Sequence, residues 1–118
     1  MQEVYEKAHH LARAIEESDE NRRYLAARAA VMGDDAAVEM IQDFRHKQLE
    51  YHARQLGGEN LKDEDREALA RLRETLEMHP EVREFLDSEV RLVQMITDVQ
   101  GILADSVSLE LEESPGEE

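Results

Sequence analysis

The sequence predicts an all-α protein: a bundle of about five helices, two of them long, near residues 35–56 and 80–107. Three observations carry that prediction. Apolar residues make up 41% of the chain and charged residues 36%, but the aromatics are only two Phe and three Tyr, so Ala, Leu, Val and Met must fill the core. Apolar residues recur three and four positions apart, the repeat of an amphipathic helix. Ser, Asp, Gly and Pro stand where those stripes start and stop.

The first helix is predicted over residues 2–17, with Val4, Ala8, Leu11 and Ile15 on one stripe. Ser18 breaks it and is a natural N-cap for the second, residues 19–32, striped by Tyr24, Ala27 and Val31. Gly33 ends that helix, and Asp34 or Asp35 caps the third, residues 35–56. Its main face is Ala37, Met40, Ile41, Phe44, Gln48 and Tyr51; Val38, Leu49 and Leu56 form a weaker second stripe. Two stripes imply two neighbours, one of which can be another subunit. Gly57 and Gly58 stop the helix and open a hairpin loop, residues 57–63. Asp63 is expected to cap the fourth helix, residues 64–78, with Leu69, Leu72 and Leu76 inward.

His79-Pro80 marks a break and a restart, because proline is excluded from a helix interior but suits the first turn. The fifth helix is predicted over residues 80–107, roughly 40 Å long. Phe85, Glu89, Leu92, Ile96, Val99 and Leu103 keep an unbroken three-four spacing along it. Leu86, Val90, Val93 and Val107 widen the apolar edge. Four shorter helices in a small monomer cannot bury so long and so broad a face. A homodimer seam follows, with Phe44, Tyr51, Phe85, Glu89, Leu92, Ile96, Val99 and Leu103 as candidate interface residues for a second subunit or a partner. Residues 1–107 form one helical domain. Residues 108–118, with five Glu and no basic residue, are expected to be a disordered acidic tail.

Charge and composition exclude several functions. The net charge is −15, and −10 remains without the tail glutamates, a field that opposes nucleic acid and anionic membranes alike. Cysteine is absent, which removes disulfides, thiol nucleophiles and thiolate metal sites. No apolar run approaches the roughly 20 residues of a membrane span, and residues 1–12 lack the apolar core of a secretory signal. A soluble, cytoplasmic protein is expected.

Each candidate chemistry has a plainer explanation. Glu6 with His9, and Asp43 with His46, repeat the Glu-x-x-His spacing of carboxylate-bridged metal bundles. On the helical wheel, however, both pairs point away from the apolar stripes. They read better as solvated faces, as does the line Glu39, Asp43, His46 and Glu50, and a metal-binding bundle stands as the alternative. Ser18, Ser88, Ser106, Ser108 and Ser114 lie in no Gly-x-Ser-x-Gly elbow, and Gly57-Gly58 lacks the lysine of a phosphate loop. No catalytic residue and no cofactor are assigned. Arg22, Arg23 and Arg28, like Arg45, His46 and Lys47, are flanked by carboxylates and suit helix-surface pairing better than RNA contact. Glu89 occupies an apolar place in its series; an edge position or an ion pair with a neighbouring helix explains it more simply than a specificity role.

The order of elements carries a resemblance. A Ser-started helix leads to Gly33-Asp34-Asp35-Ala36, then Ala37-x-x-Met40-Ile41-x-x-Phe44-x-x-x-Gln48 and a glycine hairpin. Leu69-x-x-Leu72 follows, and His79-Pro80-Glu81-Val82-x-x-Phe85-Leu86-x-x-Glu89-x-x-Leu92 opens the last helix. Over residues 4–107 this resembles the YlbF/YmcA-like family of small bacterial helical proteins, and within it the YheA branch, whose role is poorly defined. The resemblance implies a dimeric all-α bundle without enzymatic activity that binds other proteins. It also implies a regulatory role in RNA processing, competence, sporulation or biofilm formation. Better-known members carry iron–sulfur clusters; with no cysteine this chain cannot supply the thiolates, so that role does not carry over. His79 stands where the family more often has Asn, a change that keeps the capping capacity.

Overall fold

A computed structural model of the chain describes residues 1–107, so the expected disordered tail, residues 108–118, lies outside the described residues. The described part is all α-helical: α1 (Gln2–Glu16), α2 (Asp19–Met32), α3 (Asp35–Leu56), α4 (Asp63–Glu77) and α5 (Pro80–Asp105). All five expected helices are present, and the two long ones are the two expected. The last helix stops two residues early, with Ser106 as its C-cap.

The ends are set by side-chain chemistry. The Ser18 hydroxyl accepts from the Asn21 N–H at 3.1 Å, closing the first turn of α2. Of the two aspartates after Gly33, Asp34 is the cap; its Oδ1 accepts from Ala36 N–H at 3.1 Å and Ala37 N–H at 3.2 Å. His79 caps α5 through Nδ1, which accepts from Val82 N–H at 3.4 Å, and Pro80 occupies the first turn. The expected cap at Asp63 is corrected. Lys62 holds the N-cap position, and Asp65 supplies the carboxylate, accepting from the Lys62 N–H at 3.3 Å. With three acidic residues in its first turn, α4 satisfies its end from inside the turn rather than from before it. Gly58 has φ +87°, a left-handed conformation that relieves the end of α3 and that a side chain would strain.

Burial is concentrated at one junction. Ala27 and Val31 of α2, Ala37, Ile41 and Phe44 of α3, Leu76 of α4, and Val82 and Phe85 of α5 form the core. Tyr24 meets Phe85 with ring centroids 5.6 Å apart. Ser88 is 1% exposed and donates to the Phe85 carbonyl at 2.9 Å, so this small side chain satisfies its own hydroxyl within the turn. α1 touches α2, which lies along α5, and the α3–α4 hairpin forms a second limb. The molecule measures 49 × 43 × 16 Å, and its radius of gyration is 19.2 Å. A spherical domain of this length has about 13 Å. The helices are therefore spread as a thin plate, with large areas of helix surface outside the core.

Candidate interaction surface

Three polar links fix how the helices leave the junction. Arg23 of α2 forks onto Glu84 of α5, Nε to Oε2 at 2.6 Å and Nη2 to Oε1 at 2.7 Å. The paired hydrogen bonds raise the guanidinium pKa and hold the Glu84 carboxyl below its ordinary value. Arg45 of α3 donates to Glu89 of α5 at 2.5 Å while its guanidinium carbon lies 5.6 Å from the centre of the Phe85 ring. In the hairpin limb Arg54 lies over the Tyr51 ring at 5.5 Å and pairs with Glu59 and Asp65, tying the loop to both helices.

The interface candidates separate into two groups. Phe44, Tyr51 and Phe85 are buried within the chain's own fold, so their rings offer little surface to a partner. Glu89 is half-buried and paired with Arg45, an ion pair with a neighbouring helix. Further along α5, Leu92, Ile96 and Val99 are half-buried and Leu103 is 55% exposed. Ile102, at 68%, and Val107 join them. The α1 stripe fares similarly: no residue of α1 is buried, and Val4 is 67% exposed. Val4, Ala8 and Leu11 share an apolar groove of about 390 Å³ with Leu103 of α5. A larger open groove of about 630 Å³ on the hairpin limb is lined by Gln48, Leu49, Tyr51, His52, Leu61 and Leu69, among others.

The metal-bundle residues are scattered. Glu6 and His9 lie on α1, Asp43 and His46 on α3, and all four are exposed. Among the described residues the group that does converge is another one, Asp34, His79 and Glu81, with candidate ligand atoms within 4.8 Å of one another. Sequence reading missed it because Asp34 is 45 residues from His79 and both were already explained by helix ends. The geometry gives that same explanation. Asp34 and His79 are the caps of α3 and α5, and His79 Nε2 stands 3.4 Å from Asp34 Oδ2, so the two caps are joined to each other. Two positive helix ends meet there, which satisfies the carboxylates and disfavours a cation. The set has no sulfur ligand and does not fit an iron–sulfur cluster.

The model of a family described as control of competence regulator ComK, YlbF/YmcA, matches residues 4–108. The chain belongs to the YlbF/YmcA family. Similar bacterial proteins carry the name UPF0342. One from Symbiobacterium thermophilum is 39% identical over 92% of this chain and 96% of its own length. Another, from Caldicellulosiruptor bescii, is 36% identical over 91% of this chain and 90% of its own length. A solved structure described as a protein of unknown function (DUF964) from Bacillus stearothermophilus superposes with a TM-score of 0.76. It covers 87% of this chain and 90% of the solved one at 21% identity, and bears on the fold alone. In this YlbF/YmcA-family chain the exposed apolar surface includes the groove between the α1 stripe and Leu103 of α5. Among the described residues no helix is long and apolar enough to cross a membrane.

Proposed function

We propose that this YlbF/YmcA-family chain is a non-catalytic, cytoplasmic, homodimeric adaptor that binds other proteins in the control of competence or of RNA processing. The observation that carries the reading is the end of α5, where Ile102, Leu103 and Val107 stand more than half exposed. Monomeric soluble proteins rarely expose a continuous apolar patch above a few hundred Å². The family description, which concerns control of a competence regulator, supports the regulatory setting. The charge of −15 supports a protein partner over nucleic acid.

The test is capture of partners by the tagged full chain from its native host, with an RNase-treated control. Reproducible recovery of ribonuclease or competence-regulating proteins after RNase treatment agrees with the adaptor role. Recovery of the chain alone removes that role and leaves only the question of self-association. Purified protein with a steady hydrolytic activity, abolished by substitution of one residue, would overturn the non-catalytic reading.

A further inference from the structure

The second stripe of α3 carries a charge pattern unlike the rest of the chain. Val38, Gln42, Arg45, Leu49, His52 and Leu56 recur at alternating steps of four and three, so they lie on one line roughly 27 Å long. The carboxylates of α3, Asp35, Glu39, Asp43 and Glu50, sit roughly 60–140° around the helix from that line. Leu49 is 68% exposed and Leu56 76%, and Gln42, Arg45 and His52 are exposed beside them. The core uses another face of α3, that of Ala37, Ile41 and Phe44.

Two grooves open onto this line, and Arg45 lines both. One is the hairpin-limb groove of about 630 Å³, where His52, Leu61 and Leu69 accompany Leu49. The other, of about 180 Å³, is formed by α2, α3 and α5, with Val38 and Phe85 in its apolar lining and exposed Arg28 of α2 beside them. Neither lining contains a carboxylate, in a chain with 29 acidic residues. Arg28 has no acidic residue three or four positions away on α2. Among the described residues it makes no ion pair. Its charge is therefore available to a group from outside the chain.

An apolar three-four line with basic residues beside it, and no carboxylate in its grooves, is complementary to the converse surface. That surface is a helix whose apolar residues recur three and four apart between glutamates or aspartates. A second copy would bring a further −15 to the site, whereas a single helix of another protein brings only its local charge. We infer that the Val38–Leu56 line of α3, with Arg28 at its edge, is a docking groove for an acidic amphipathic helix of a partner protein. Such docking rests on the protein-binding reading of this chain and gives it a surface and a partner chemistry.

The probe is a fluorescent helical peptide of about 18 residues, matched to the line, with leucines at three-four spacing between glutamates. A second peptide carries lysines in place of the glutamates. Anisotropy with the full chain is expected to show the glutamate peptide bound at least about tenfold more tightly, against the long-range pull of the −15 net charge on the lysine peptide. Leu49→Glu and Arg28→Glu are each expected to weaken the glutamate peptide about tenfold. Both positions are exposed, so helicity by circular dichroism stays unchanged. Leu103→Glu, on α5, is expected to leave its affinity unaltered. Preference for the lysine peptide, or a glutamate peptide indifferent to Leu49→Glu and Arg28→Glu, overturns the groove. A mass by light scattering that falls on Leu49→Glu means that a second copy fills the line, which overturns a partner helix as its occupant. Failure of the adaptor reading looks different. Host proteins captured equally by the unaltered chain and by Leu49→Glu keep that reading and remove the groove. A glutamate peptide that binds as expected while no host protein is captured keeps the groove and removes the adaptor role.

Discussion

The junction and the α1–α5 limb use similar residues to opposite ends. At the junction, Ala27, Val31, Ile41, Phe44, Leu76, Val82 and Phe85 converge from four helices and exclude water. On the limb, Val4 of the α1 stripe and Leu103 of the α5 stripe belong to the same kind of helical repeat and stay in solvent. Periodicity therefore identifies which side of a helix is apolar, whereas burial depends on whether a second element arrives. At the junction the caps decide that arrival. Asp34 and His79 each start a helix and touch one another, which brings the beginnings of α3 and α5 together. Among the described residues no comparable link draws α1 onto the end of α5.

The comparison predicts unequal costs for removing apolar side chains. Phe85→Ala deletes a ring in contact with Tyr24 and Arg45 in the centre of the core. It should lower unfolding free energy by about 3–5 kcal/mol in a urea titration. Val4→Ala on the limb should cost well under about 1 kcal/mol. Equal costs would mean that the limb is as tightly packed as the junction, and the division between them would fail. Ser88→Leu probes the same contrast from the other direction. Its side chain is enclosed beside α2, so the added volume should cost about 1–3 kcal/mol, and a neutral result would place slack at the α2–α5 contact.

This division also explains how much was legible from sequence. Helix number, order and the Ser18, Gly33, Gly58 and Pro80 boundaries depend on residues within one turn, so each was readable locally. The interface list mixed Phe44, Tyr51 and Phe85 with Leu92 to Leu103 because all share the three-four spacing. Spacing along one helix carries no record of where its neighbours end. Likewise Glu84 carries no local signature of its pair, since its partner Arg23 is 61 positions away. The Asp34–His79 link is hidden for the same reason, although Asp34 is a candidate cap and His79 marks a break in the periodicity.

Caps and glycines give effects near 1 kcal/mol. Asp34→Ala removes the acceptor for two N–H groups of α3 and the contact to His79, and should destabilise by about 1–2 kcal/mol. Asp34→Asn restores capping without the charge, so a full rescue would mean that the His79 contact contributes little. Gly101 lies inside α5 with no atom within 4 Å of an added Cβ. Gly101→Ala should therefore stabilise by about 0.5–1 kcal/mol, a gain available only where helix surface is open. A loss instead would show a neighbour seated against that side of α5.

The smallest effect concerns the polar link between the two regions. Glu84 is held below its ordinary pKa of 4.5, first by the hydrogen bonds from Arg23 and then by that guanidinium's charge. A carboxyl with a lowered folded pKa contributes stability that is fully present above its unfolded value and is lost as pH falls through the folded one. Both side chains are more than a third exposed, so solvent screens the pair and its contribution is modest. Urea midpoints for the unaltered chain and for Glu84→Gln should differ at neutral pH, with the variant lower. The difference should shrink as pH drops below 4.5 and vanish once the carboxyl is protonated in both states. Other carboxylates titrate in the same range but are common to both chains, so the difference isolates this one. A gap that stays constant with pH would mean that Glu84 holds α5 against α2 by its shape and hydrogen-bonding capacity, and its charge would have no part in fixing the angle at which the limb leaves the junction.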